Sequence, residues 1–141
     1  MKDKTVGGVH WSFWAIGAVA LIWHVLSGIN FFAQMNPDVL DAYRESERAL
    51  VEGRPAWATG AFAVAVFGGA IGSLLLLLRR SAAFYVFVAS LLGAIVTMTH
   101  TLGVDIEFGV GVTLGIIVLP PVVAGLLIWY SKHAESKGWI S

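Results

Sequence analysis

Four long, uninterrupted apolar stretches constrain the fold of this chain more than any other feature. They cover residues 12–35, 56–78, 82–102 and 108–131, and none of them contains Asp, Glu, Lys or Arg. A helix of about 20 apolar residues crosses roughly 30 Å of hydrocarbon. Strands of a membrane barrel would instead alternate in character over segments of about 10 residues. The sequence therefore predicts an all-α membrane protein, a four-transmembrane-helix bundle formed by residues 1–141 as one domain.

The composition excludes several classes of protein. Only 13% of the 141 residues are charged, whereas a soluble domain carries about 25%. The nine basic and nine acidic side chains cancel, which leaves no basic surface for nucleic acid. Without cysteine, disulfides, thiol catalysis and thiolate metal sites are excluded. We expect the lipid bilayer as a partner, and no nucleic acid, cofactor or bound metal.

The first apolar stretch has to be distinguished from a cleaved signal peptide. Lys2 and Lys4 precede it, as basic residues precede signal peptides, but it is 24 residues long. The apolar region of a signal peptide usually has about 7–15 residues. We therefore interpret residues 12–35 as a retained span.

The distribution of charge predicts the orientation, because lysine and arginine favour the cytoplasmic side. Six basic residues fall on one side: Lys2, Lys4, Arg79, Arg80, Lys132 and Lys137. The other side combines three arginines with seven acidic residues, a net charge of −4: Arg44, Arg48, Arg54, Asp38, Asp41, Glu45, Glu47, Glu52, Asp105 and Glu107. Both termini are predicted to be cytoplasmic.

The connection between the first two spans has helix signals of its own. Asn36 is a good N-cap, Pro37 suits the first helical position, and Gly53 and Pro55 end the segment. We predict a short amphipathic helix over residues 37–52, on the outer membrane surface. Its charges are typical of a solvated helix face, and the alternative is that they form the lip of a binding site.

Small residues indicate where helices approach closely. Gly68 and Gly72 in the second span, and Gly111 and Gly115 in the fourth, are small residues four positions apart. Such pairs favour close helix packing in a membrane. The packing could lie within the bundle, or it could form a homodimer or an interface with a larger membrane complex.

The fourth span contains the consecutive prolines Pro120 and Pro121. They remove two backbone donors and crowd the preceding turn, which predicts a kink or a helix break. Such a feature can be a static bend, or it can mark a substrate site, as broken helices do in transporters.

Polar residues recur at helical spacing in the first and third spans. The candidate polar cleft, in the outer half of the membrane, comprises His24, Ser27, Asn30, Gln34, Thr97 and His100. A histidine at membrane depth is a functional candidate that can titrate, but it can also merely tie helices together. The alternative is that the polar residues of each span bond only to the backbone of that span. Two histidines make no metal site without a third ligand, which Asp105 or Glu107 could supply at the rim.

The run from Pro55 through Gly68-Gly69 and Gly72-Ser73 to Arg79-Arg80 resembles a family of small four-helix bacterial membrane proteins often labelled sugar transporters. The acidic loop after the first span, and the end from Trp129-Tyr130-Ser131-Lys132 to Trp139, are similar as well. The resemblance covers nearly the whole chain. It implies four helices in a bacterial inner membrane and little about activity.

Two functions are consistent with these patterns. One is a transporter-like protein for a small polar solute such as a sugar. The alternative is a non-catalytic accessory subunit that packs against a larger membrane complex. An enzyme is disfavoured, since His24 and His100 are its only candidate acid–base groups in the spans.

Overall fold

The part of the chain that the structure describes is all-helical, and it contains four helices that are long and apolar enough to cross a membrane. The structure, a computed structural model, describes residues 9–104, 106 and 108–141, and helix makes up 80% of it. The prediction of an all-α chain with four long apolar helices is confirmed. Lys2, Lys4, Asp105 and Glu107, which entered the predictions of orientation and of a rim metal site, lie outside the described residues.

The described residues form seven α-helices and one π-helical segment. The α-helices are α1 (Trp11–Ala33), α2 (Pro37–Leu40), α3 (Glu45–Glu52), α4 (Ala56–Leu77), α5 (Ala83–Gly103), α6 (Val110–Val112) and α7 (Leu119–Ser136). A π-helical segment, Thr113–Val118, joins α6 to α7. Together these three elements make the fourth long helix, Val110–Ser136. We call the end with Arg79, Arg80, Lys132 and Lys137 the basic end, and the end with residues 34–55 the loop end.

The helix α4 packs against both α1 and α5, and α5 also packs against α7. Gly93 of α5 permits the closest approach, because a Cβ there would lie 2.6 Å from the Ala61 carbonyl oxygen and 2.8 Å from the Ala65 nitrogen. Gly68 faces Ser90 in the same way. Gly68 therefore packs inside the bundle, which is one of the two roles considered for the small-residue pairs.

A hydrogen bond between side chain and backbone also joins α4 to α5. The Ser90 hydroxyl donates to the Ala65 carbonyl at 2.6 Å. We expect Ser90→Ala to lower the free energy of unfolding in detergent by about 1 kcal/mol, as for other interhelical bonds in membrane proteins. The matched control is Ser27→Ala, because the Ser27 hydroxyl donates to Trp23 within its own helix. Equal losses for the two variants would contradict a specific role of the Ser90 bond.

The basic end is closed by a packed core. Phe13, Leu76 and Phe87 are fully buried there, and Phe13 contacts the rings of Tyr130 and Trp139. The residues after α7 fold back onto this end. Arg79 Nε donates to the Trp139 carbonyl at 2.7 Å, and the Ser81 N–H donates to the Ser141 carbonyl at 2.9 Å.

The double proline does not divide the fourth long helix into two. Instead, the π-helical segment directly precedes it, and the Leu119 N–H donates to the carbonyl of Leu114, five residues back. Wider turns of this kind are known causes of irregular helices. Since Pro120 and Pro121 have no N–H, the Ile116 carbonyl has no helical donor at position 119, 120 or 121.

The connection between α1 and α4 differs from the single helix predicted over residues 37–52. The Asn36 side chain does cap this segment, accepting from the Asp38 N–H at 2.9 Å, but α2 ends at Leu40 and α3 begins only at Glu45. Leu40 and Leu50 are both buried. In one straight helix they would point about 80° apart, so the break lets both face the bundle. The segment thus lies across the loop end of the bundle.

Candidate functional site

A cavity of about 360 Å³ lies at the loop end, bounded by α1, α3, α4, α5 and the fourth long helix. Its polar lining residues are His24, Ser27, Asn30, Gln34, Tyr43, Glu47, Arg54, Ser90, Thr97 and Thr101. Trp23, Phe62, Ala94 and Ile116 are among the apolar residues that complete the wall. Polar groups from three separate parts of the chain, namely α1, the segment between α1 and α4, and α5, therefore converge on one space.

The structure brings five of the six candidate cleft residues to this cavity: His24, Ser27, Asn30, Gln34 and Thr97. His100 is not among the lining residues, and its ring packs edge-on against Trp57 with the centroids 5.5 Å apart. The reason is rotation about α5, since His100 lies about 60° around the helix from Thr97, on the side away from Thr101. The expected approach of Asn30 and Gln34 to His100 is replaced by a shared cavity with Thr97 and Thr101.

His24 is held in one orientation by its own helix. Its Nδ1 lies 2.8 Å from the Ala20 carbonyl oxygen. Because a carbonyl only accepts, we assign the proton of the neutral ring to Nδ1, which leaves Nε2 as an acceptor. The ring contacts α4 at Gly69, where any Cβ would clash with it. His24 thus bonds to a carbonyl of its own helix rather than of a neighbouring one, and it also lines the cavity.

The serine and threonine hydroxyls on the helices around the cavity already donate their protons in hydrogen bonds. Ser27 donates to Trp23, Thr97 to Gly93, and Thr101 to Thr97, each within its own helix and at 2.8–3.0 Å. These hydroxyls therefore do bond to the backbone of their own helices, as the alternative expected, but the helices also enclose a cavity. A hydroxyl whose proton is committed still has lone pairs to accept from a solute. The deep wall of the cavity is consequently rich in acceptors.

Two hydrogen bonds fasten the loop segment over the cavity. The Tyr43 hydroxyl donates to Asn30 Oδ1 at 2.8 Å, and Arg54 Nη2 donates to Gln34 Oε1 at 2.7 Å. Each amide oxygen thus already accepts one hydrogen bond, and the amide N–H groups of Asn30 and Gln34 are donors that can bind a solute. Sequence reasoning did not identify Tyr43 and Arg54 individually. The available signal for them was the charged helix predicted in this connection, whose charges were considered as the lip of a binding site.

Arg54 is the cation that lines the cavity. Its guanidinium lies over the Phe62 ring, 4.9 Å from the centroid, and its buried Nε has no hydrogen-bond partner in the described part of the chain. Burial lowers the pKa of Arg54 from its ordinary value. That value is so high that the group remains protonated. Glu47 also lines the cavity and lies 4.0 Å from Arg44.

Within the ranges that the structure describes, no three His, Asp or Glu side chains are grouped so that they could hold a metal ion. No family model, curated protein or solved structure matches the chain. Its function must therefore be inferred from the chemistry of the cavity.

Proposed function

We propose that this chain is an integral membrane protein that binds a small polar solute, of the size and chemistry of a sugar, in the loop-end cavity, as a transporter-like protein. The observation that carries the proposal is the cavity itself. Its volume of about 360 Å³ falls in the range of small-molecule sites, which combine an apolar wall with a few convergent polar groups. Here the donors are at the loop end, the acceptors are deeper, and Trp23 supplies an aromatic face.

The outer surfaces of the long helices support the membrane assignment. Each of them exposes large apolar side chains by more than half, for example Val19, Ile71, Leu92 and Leu126. Contiguous apolar surface of this kind is unfavourable in water and suits a bilayer. In our proposal the basic end faces the cytoplasm of a bacterium, by the positive-inside rule, and the cavity lies on the opposite side of the inner membrane.

The asymmetry of the bundle supports a transporter-like role. The basic end is closed by the core around Phe13, whereas the loop end contains the cavity. Ile116, which lies in the π-helical segment, also lines this space. Irregular backbone that lines a cavity is typical of transporter helices.

The accessory-subunit alternative is supported by a different surface. Gly111 on the fourth long helix is exposed and has open space where a Cβ would stand, unlike Gly68 and Gly72, whereas Gly115 lines the cavity. In that alternative, a larger membrane complex covers this face.

Trp23 provides the test of solute binding. Of the six tryptophans, it is the one that lines the cavity. We expect a saturable change in tryptophan emission when the purified protein in nanodiscs is titrated with D-glucose, D-xylose, glycerol and D-glucuronate. Trp23→Phe should remove the change, and Trp11→Phe should retain it because Trp11 lies on the same helix but is 72% exposed. The proposal fails if none of the four compounds binds, by fluorescence or by equilibrium dialysis.

A further inference from the structure

We infer that the solute carries a carboxylate group and that Arg54 binds it. This inference rests on the proposed function and names the class of solute: a small hydroxylated acid such as a sugar acid.

Arg54 is positioned as a preformed donor group. Phe62 supports one face of the guanidinium, and Gln34 holds Nη2 through a neutral amide oxygen. The buried Nε has no partner among the residues that the structure describes. A planar guanidinium presents parallel N–H groups that match the two oxygens of a carboxylate. A polar atom that is buried without a partner is costly, and a bound carboxylate would remove that cost.

Among the described residues that line the cavity, two are charged, Glu47 and Arg54, and they are not paired with each other. The Glu47 carboxylate lies beside the exposed guanidinium of Arg44 rather than in an ion pair with Arg54. Within residues 9–104, 106 and 108–141, Arg54 has no carboxylate within 4.0 Å. A negatively charged solute would supply one.

The donors and acceptors are separated along the cavity. Arg54 and the amides of Asn30 and Gln34 offer N–H groups at the loop end, where each amide oxygen already accepts one hydrogen bond. Deeper in the cavity, Ser27 and Thr97 offer acceptor lone pairs. A solute with a carboxylate at one end and hydroxyls at the other matches this order, with the carboxylate at Arg54.

The matched probes D-glucose and D-glucuronate differ only in the group at carbon 6, a CH₂OH in one and a carboxylate in the other. We expect wild-type protein at pH 7 to bind glucuronate roughly 10- to 100-fold more tightly than glucose, the range expected for hydrogen bonds to a charged group. Arg54→Gln should reduce this ratio of affinities to about one, and Arg54→Lys should retain part of it. Arg48→Gln is the matched control, since Arg48 lies in α3 but does not line the cavity.

The outcomes separate the two proposals. Glucuronate binding no more tightly than glucose to the wild-type protein overturns this inference, even if Arg54→Gln does not fold. In that case the proposed function stands, because the solutes still bind. An unchanged ratio in a folded Arg54→Gln variant also overturns it. If neither compound binds, nor xylose or glycerol, the proposed function fails as well.

Discussion

Replacing Ala94 with phenylalanine is expected to abolish solute binding while the four-helix fold is retained. Ala94 is 5% exposed and lines the cavity between Ser90 and Thr97 on α5. A phenyl ring at this position would extend into the 360 Å³ that we assign to the solute. Because the ring fills existing space, its cost to stability should be small compared with overpacking of a dense core. We expect binding to weaken by about 100-fold or more, equivalent to about 2.7 kcal/mol.

The matched control is Ala89→Phe on the same helix. Ala89 is exposed and does not line the cavity, so the same substitution there should leave binding of glucose and glucuronate unchanged. The measurement is equilibrium dialysis of the purified proteins, with circular dichroism to verify helix content. Unchanged binding by a folded Ala94→Phe variant would show that the solute site lies elsewhere.

Gly93→Ala, one residue away, is expected to have the opposite pattern, a large loss of stability caused by a single methyl group. The added carbon would meet the backbone of α4 at Ala61 and Ala65, at 2.6 and 2.8 Å. Backbone atoms cannot rotate out of the way as a side chain can, so α4 and α5 would have to separate. That separation would also strain the Ser90–Ala65 hydrogen bond. We expect a loss of about 3 kcal/mol, at the upper end of the usual range for overpacking.

Gly103→Ala is the control for the change in helix propensity. Gly103 is the last residue of α5, and a Cβ there would meet nothing within 4 Å. Alanine is intrinsically the better helix former, by about 1 kcal/mol within a helix, so this variant should be neutral or slightly more stable. Unfolding in mixed micelles would measure both variants. A Gly93→Ala protein as stable as Gly103→Ala would contradict the close contact between α4 and α5.

Gly93 and Ala94 are neighbours in α5 but have different roles. Gly93 lies where α4 and α5 touch, and Ala94 faces the cavity. The contact at Gly93 sets the rotation of α5 about its own axis. That rotation turns Thr97 and Thr101 toward the cavity and His100 toward Trp57. The packing of the helices thus decides which polar residues of α5 are available to a solute.

The sequence alone determined the four long helices, because length and the absence of charge are properties of each segment by itself. Helical periodicity also placed Ser27, Asn30 and Gln34 on one face of α1, next to the face of His24, and all four residues do line one cavity. A single helix carries no information about how it is rotated against its neighbours, however. The separation of His100 from Thr97 therefore could not be predicted from their spacing.

Only the tertiary structure decided how the loop end is built. The bond from Arg54 to Gln34 joins residues 20 positions apart, and the bond from Tyr43 to Asn30 joins residues 13 apart. Both depend on the break between α2 and α3, which the local helix signals from Asn36 to Gly53 did not reveal. The break allows Leu40 and Leu50 to be buried together, and that burial is a gain realised only when the bundle is present. Capping and periodicity act locally, whereas the closing of the cavity depends on contacts between distant segments.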